Sequence, residues 1–527
     1  MLIIALPLLA FVLSIHQMYG GWDDGAITAS FARTYAETGR FALTPISEKV
    51  EGFSSVSWAY LLAIPYFFFH SSIAILVWMK LLSAVSFMLS LIISRRLAFR
   101  LLGSSEQADL STICIALIGC QMLETLNGME MNLYMLLVLL LVDVLTGEQP
   151  RPRNRLWVGL IAFGLITTRF ESPYLIVAIM LGLLLSRERK ALLELGTAAA
   201  TAFVATELWR YHEFGFWMPN TVYAKLQQPY SPPHKWLPML QVRLEATDDL
   251  FYVVGELLLI ILLMWAVALV WKRFLLPRLL PPLRLPMCSF MVVLLAIIYW
   301  RGSLYLAGDN FTEILRITRV GFELLSIAIL LKACLNREAS RLVNLMAAIV
   351  AAGVAFGILF GKNWGYLGRM ILPYLPFLVL AFAYYVRQLT ASKFWIRFAL
   401  IACVLCQLTA WVPLTSYIWF NPNPYVSLKA VERYGKTGDA VRLLAGLDTL
   451  SILIPDVGGS SLCCEKLRIL DSALLANRYL AHTGYNSMDE YLRKENPQVI
   501  DAHWPWSETT GIYKSNLLDE YKLYRYR

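Results

Sequence analysis

Residues 72–100 read SIAILVWMKLLSAVSFMLSLIISRRLAFR. The apolar run from Ser72 to Ser94 is long enough to cross a bilayer core, which takes about 20 residues of helix. It ends in Arg95, Arg96 and Arg100, and basic clusters of this kind mark the cytoplasmic end of a span. The same alternation recurs along the chain. Apolar runs at 131–145, 173–185, 250–271, 320–331 and 371–385 each lead into Arg and Lys. The runs at 113–126, 156–168, 192–209, 287–300, 345–360 and 398–420 return the other way. With the first run, Leu2–His16, this gives about 13 spans. Leu2–His16 lacks a basic flank and a small-residue cleavage site, so it reads as a retained signal anchor. Ser57–Phe69 is apolar but short and reads as a re-entrant or surface helix.

The composition agrees. The chain is 58% apolar and 16% charged, against roughly 25% charged residues in soluble domains. Its net charge of +9 does not indicate nucleic-acid binding, because the basic residues sit in short clusters between apolar runs, as the positive-inside bias requires. The eight cysteines show neither a disulfide framework nor metal-ligand spacing. Cys463 and Cys464 are adjacent, and neighbours in sequence seldom bridge each other.

Residues 421–527 have a different composition. LSILIPDVGG followed by KLRILDSALLANRYLAH reads as strand, loop, strand, helix. The expected architecture is an α-helical polytopic membrane region over 1–420 and a small extracytoplasmic α/β domain over 421–527. The N-terminus is expected inside and the tail outside. No internal repeat is visible, which weighs against a transporter built from two related halves.

In this topology the polar motifs share the outer side: GWDDGAIT, SEKVEGFSS, NGMEMNLY, TTRFESPY, MPNTVYAK, LAGDNFTEIL and KNWGYLGRM. The inner loops carry little beyond Arg, Lys and Pro. This asymmetry indicates a site at the outer membrane–water boundary. Glu130, Arg169 and Glu171 lie at helix ends, where a charge is costly unless it pairs or faces water. Asp23 and Asp24 precede an amphipathic helix with Ile27, Phe31 and Tyr35 on one face. One aspartate serves as an ordinary N-cap. The second carboxylate is then left for a base, a ligand hydroxyl or a cation. Trp22, Trp217 and Trp364 suit either sugar stacking or a membrane-interface belt, the commoner role. Asn310-Phe311-Thr312 fits a glycosylation acceptor.

The order of these motifs resembles membrane glycosyltransferases of the GT-C superfamily, in particular the terminal arabinofuranosyltransferases of the mycobacterial cell wall and their bacterial relatives. DDGAITASFA resembles that group's DDAYITFRYA, and VEGFSSVSW its VEGYTNPLW. GMEMNLY, TRFES, MPNTVYAK, KNWGYLGRMILP and the tail from Pro455 to His482 follow in the family's order. Phe170 and Ser172 depart from the family's Pro and Gly. Asn363 replaces an Asp, for which the loop at 307–311 is a second candidate to that at 361–369.

The resemblance implies transfer of a sugar, arabinofuranose in that group, from a polyprenyl-phosphate donor. The acceptor is a hydroxyl of an envelope glycan, glycolipid or protein, and the anomeric centre is inverted. It implies Asp23 or Asp24 as base and Arg169, Lys225 and Arg369 around the donor phosphate. Glu51, Glu130, Glu171, Asn220 and Tyr223 are the expected sugar ligands or supports. The lipid-borne sugar is a substrate, and a divalent cation is the one cofactor left open. The competing classes are a transporter of a polar solute or lipid-linked sugar, which needs polar groups at mid-span, and a non-catalytic membrane subunit. On the topology above, a reporter fused after Arg527 should be exported and one inserted at Arg153 should stay cytoplasmic. A cytoplasmic C-terminus would break the shared-face reading.

Overall fold

The computed structural model describes residues 2–147, 153–227, 340–360, 369–389, 427–503 and 506–522, with a few isolated positions between 396 and 420. The first half is helical: α1 Leu2–His16, α2 Asp24–Thr38, α3 Val56–Ala63, α4 Tyr66–Phe69, α5 Ser72–Leu102, α6 Ser105–Ala116, α7 Gly119–Asn127 and α8 Met131–Leu145. Then come α9 Arg153–Thr168, α10 Ser172–Leu185, α11 Arg189–Phe214 and the short α12 Asn220–Gln227. After the next described stretch begins, α13 spans Arg341–Phe360, a 3-10 turn spans Arg369–Tyr374 and α14 spans Leu375–Leu389.

Among the described residues, α5 and α11 are long and apolar enough to cross a membrane, and α6 with α7 makes a third such unit if the bent pair counts as one. Shorter apolar helices of 10–17 residues surround them. The expected runs at 250–271, 287–300 and 320–331, and most of 398–420, lie outside the described residues. Where the two can be compared, α5 runs eight residues past Ser94, carrying Arg95, Arg96 and Arg100 inside the helix. The expected single run at 113–126 is two helices meeting at a 47° bend. At the break Ile118 is extended, and the Ile115 carbonyl accepts both the Ile118 N–H at 3.2 Å and the Gln121 side-chain amide. The run at 57–69 likewise breaks into α3 and α4, with Pro65 at the start of the second.

The tail holds α15 Leu428–Leu444, β1 Leu450–Ile454, α16 Gly458–Cys463, β2 Leu467–Asp471, α17 Arg478–Thr483, α18 Met488–Glu495 and β3 Val499–Ile500. The strands form a parallel sheet in the order β2-β1-β3, with Leu450 opposite Leu467 and Ile454 opposite Asp471. Between the two expected strands the loop contains α16. That helix ends at Cys463, and Cys464 leaves it extended. Contrary to the expectation for neighbouring cysteines, the two are joined by a disulfide.

Alternation in β1 distributes the core. Leu450, Ile452 and Ile454 pack with Ile27, Phe31, Phe41 and Phe53 from α2 and the loop after it. Leu453 faces the other way and packs with Leu470, Leu480, Met488 and Leu492 under α17 and α18. One face of the sheet therefore shares its core with the first sixty residues of the chain. The larger core is made by α1, α5–α11, α13 and α14, with the 3-10 turn between the last two.

The start of α2 lies against the end of α7 with no room to spare. A Cβ on Gly25 would stand 2.0 Å from the Asn127 carbonyl oxygen. Gly25→Ala should therefore force the two helices apart and cost about 1–3 kcal/mol, the usual range for overpacking. A melting temperature equal to wild type in detergent would contradict this close approach.

Candidate active site

A glycine turn and two contacts fix the chain just before the aspartate pair. Gly21 adopts a left-handed φ of 88°, open to glycine at little cost. Trp22 donates its backbone N–H to Asn127 Oδ1 at 2.8 Å. Trp22 also bridges to Ser427 at the entry to the tail.

The two aspartates then separate. Asp23 is 4% exposed. It accepts the backbone N–H of Gly458 at 2.7 Å on one oxygen and that of Gly459 at 2.6 Å on the other. These are two of the first amides of α16, which have no partner inside that helix. Asp23 sits at the N-cap position of α2 but makes no side-chain cap there; it caps a helix more than four hundred residues away. Burial pushes its carboxyl well above the ordinary range, and Asp456 and Asp24 add to this against the pull of the two amides. The Asp24 side chain is 48% exposed and lies 3.0 Å from Arg369 Nη1.

Behind Asp24 is a buried network of charges. Arg369 Nε lies 3.5 Å from Glu124 and Nη2 lies 4.0 Å from Glu130. Arg169 donates Nε to Glu171 at 2.7 Å and Nη1 to Glu130, and it also reaches Ser54 Oγ at 3.3 Å and the Met370 sulfur. Lys225 is open to solvent yet ringed by protein. Loss of hydration and then the Arg169 and Arg369 guanidiniums push its ammonium below the ordinary value, with Glu171 and Asp24 opposing. The chain thus brings Asp24, Glu130, Arg169, Glu171, Lys225 and Arg369 into one electrostatic neighbourhood. Asp24 and Lys225 are its open members. Arg169 is sandwiched between carboxylates with its donors largely taken.

The other expected residues are not members of this cluster. Glu51 accepts from Arg210 Nε at 2.7 Å, and Arg210 also bonds Glu207. Burial raises the Glu51 carboxyl to about 7, against the pull of Arg210. Asn220 donates to the carbonyls of Leu474 and Leu475 at 3.0 and 2.8 Å, tying the start of α12 to the tail. The Tyr223 ring lies 4.1 Å from that of His482. Trp217 is exposed and stacks on Tyr211. Trp364, Asn310, the candidate loop 307–311 and all of the candidate loop 361–369 except Arg369 lie outside the described residues. Three charged partners, Glu124, Glu207 and Arg210, were not among the residues expected from the sequence. Glu124 had a signal, since it is a carboxylate inside an apolar run. Among the described residues no group of three or more His, Cys, Asp or Glu is arranged to hold a metal ion.

The chain matches no protein-family model and no curated protein sequence. Its structure is similar to that of the Archaeoglobus fulgidus oligosaccharyltransferase solved with Zn and sulfate. That match has a TM-score of 0.46 and 12% identity, covering 90% of this chain and 62% of the other. It is similar to AglB from the same organism, solved with an inhibitory peptide and a dolichol-phosphate, at TM-score 0.48 and 14% identity, over 95% of this chain and 69% of that one. It is also similar to ArnT from Cupriavidus metallidurans bound to undecaprenyl phosphate, at TM-score 0.44 and 13% identity, over 92% and 87%. The chain spans less than two thirds of the first of these proteins.

Asp23→Ala would leave the Gly458 and Gly459 amides buried without acceptors, at about 1–3 kcal/mol each. Limited proteolysis should then release the tail faster than in wild type. A carboxyl whose folded pKa stands above its unfolded one favours the fold most at acid pH, and this contribution is lost as pH rises through the folded value. Wild type should therefore lose more thermal stability than Asp23→Asn between about pH 4 and about pH 8. Parallel curves would show that burial of Asp23 does not govern this response.

Proposed function

We propose that the chain is a polytopic membrane glycosyltransferase of the GT-C kind, moving a sugar from a polyprenyl-phosphate donor to an acceptor hydroxyl on the outer side of a bacterial inner membrane. The observation that carries this reading is that two open groups, the Asp24 carboxylate and the Lys225 ammonium, share one electrostatic neighbourhood with a buried floor of guanidiniums and carboxylates. The motif order in the sequence supports it. Arabinofuranose as the sugar rests on that motif order alone.

The chemistry follows from the charges. A neutral hydroxyl is a poor nucleophile, and a carboxylate within hydrogen-bond reach can take its proton as the new bond forms. Asp24 is the proposed base, oriented by Arg369. The acceptor oxygen attacks the anomeric carbon, and the bond from that carbon to the phosphate oxygen breaks. Its electron pair leaves with the phosphate, and the proton passes to Asp24. A single displacement inverts the centre. The departing phosphate is stable as an anion, so it needs cations and no general acid. Lys225 and Arg369 are the proposed phosphate contacts, while Arg169, gripped by Glu130 and Glu171, positions the floor. Asp23 holds the tail against the start of α2 and so fixes where Asp24 points.

Transfer from a radiolabelled polyprenyl-phosphate sugar by purified protein tests this. Asp24→Asn should lower the rate about 10²-fold or more, a general base's usual share. Lys225→Gln should weaken the apparent donor affinity about 10- to 150-fold, as loss of a charge-assisted hydrogen bond would, with little change in acceptor dependence. Normal transfer by Asp24→Asn would remove the base assignment. An unchanged donor titration in Lys225→Gln would place the phosphate elsewhere.

A further inference from the structure

A cleft of about 320 Å3 opens where α17, α18 and β2 meet Phe216, in the turn before α12, and Glu48, in the loop after α2. Its size is at the small end of the roughly 300–1,000 Å3 typical of small-molecule sites. Two cations face it without ion-pair partners among the described residues. The Arg478 guanidinium stands 4.5 Å over the Phe216 ring, and the Lys494 ammonium stands 5.2 Å over that of Tyr479. A ring face steadies a cation through its charge and leaves the N–H donors unspent. The rings are themselves braced: Tyr479 stacks on Tyr491 and Phe216 on His482. The third cation, Arg468, is neutralised by Glu495.

The remaining groups favour a polyhydroxylated ligand. Glu48 holds the backbone N–H of Arg478 with one oxygen, and its other oxygen can accept from a hydroxyl. The His482 ring packs against Phe216 and Tyr223, with its Nε2 buried away from the cleft. Burial and Arg478 lower the His482 pKa, which keeps the ring neutral. A bare phosphate would face Glu48 and Glu495 and leave most of the space empty. A sugar ring bearing a carboxylate would use the parts that face the cleft: the two cations for the charge and Glu48 for a hydroxyl.

The geometry points to this cleft as a binding site for an acidic saccharide unit of the acceptor, apart from the site of sugar transfer. That assignment of the ligand as acceptor rests on the glycosyltransferase reading above. The cleft and the transfer site share one element, since Tyr223 packs on His482 and Lys225 follows two residues later on α12.

The test is binding of trigalacturonate to the full chain in detergent micelles, followed calorimetrically with no donor present. Fully methyl-esterified trigalacturonate and inorganic phosphate serve as comparisons. Wild type should bind trigalacturonate saturably, and the ester at least about tenfold more weakly. Arg478→Gln and Lys494→Gln should each weaken binding roughly tenfold at unchanged melting temperature. Asp24→Asn should bind as wild type does, which separates this inference from the transfer chemistry: loss of transfer with intact binding leaves the cleft standing. No saturable binding, equal binding of the ester, unchanged affinity in both cation variants, or equally tight binding of phosphate alone would each overturn the proposal.

Discussion

The arrangement of the site depends on one buried carboxylate. Asp23 accepts two amide protons from the first turn of α16 and joins the two ends of the chain. Placing a carboxylate there is costly, as its raised pKa shows, and two charge–dipole hydrogen bonds offset part of that cost. With its neighbour held in this way, Asp24 has no freedom to turn inward. The backbone that carries both is fixed between Asn127 and Ser427. Two identical residues side by side thus have opposite surroundings, one closed by amides and one open to water.

The floor beneath Asp24 follows the same logic with larger charges. Arg169 and Arg369 are buried, and Glu124 and Glu130 beside them are buried too. A buried ion pair gives little net stability, but loss of one partner strands the other and costs about 3–5 kcal/mol. Such a network tolerates few rearrangements, so it holds the open groups in fixed positions. The Glu51, Arg210 and Glu207 cluster is built alike and stands next to it, with the Phe170 ring 5.9 Å from the Arg210 guanidinium carbon.

The helices were legible in the sequence because their signal is local. Met131–Leu145 and Leu2–His16 agree with the apolar runs to the residue. The strands of the tail were legible as apolar runs between turn residues. Features made by distant contacts were not. The break between α6 and α7 is bridged by one glutamine side chain reaching back to a carbonyl. The cap made by Asp23 depends on glycines 435 and 436 positions further on, so spacing around α2 could only propose a local cap. Arg169, Lys225 and Arg369 were grouped in the sequence because their loops were expected on one side of the membrane. That Arg169 is enclosed between two carboxylates was not foreseeable, because Glu130 lies 39 positions before it on another helix.

The core shared between β1 and the α2 region has a consequence for biosynthesis. Phe31, Phe41 and Phe53 are made long before their partners Leu450, Ile452 and Ile454. Contacts this remote in sequence form late, since the long intervening chain must be closed before they hold. On the ribosome the N-terminal carboxylates therefore wait, unclamped, until residue 459 has emerged. A nascent chain that has not yet reached residue 459 lacks this clamp, so the geometry around Asp24 is timed by synthesis of the β1–α16 segment.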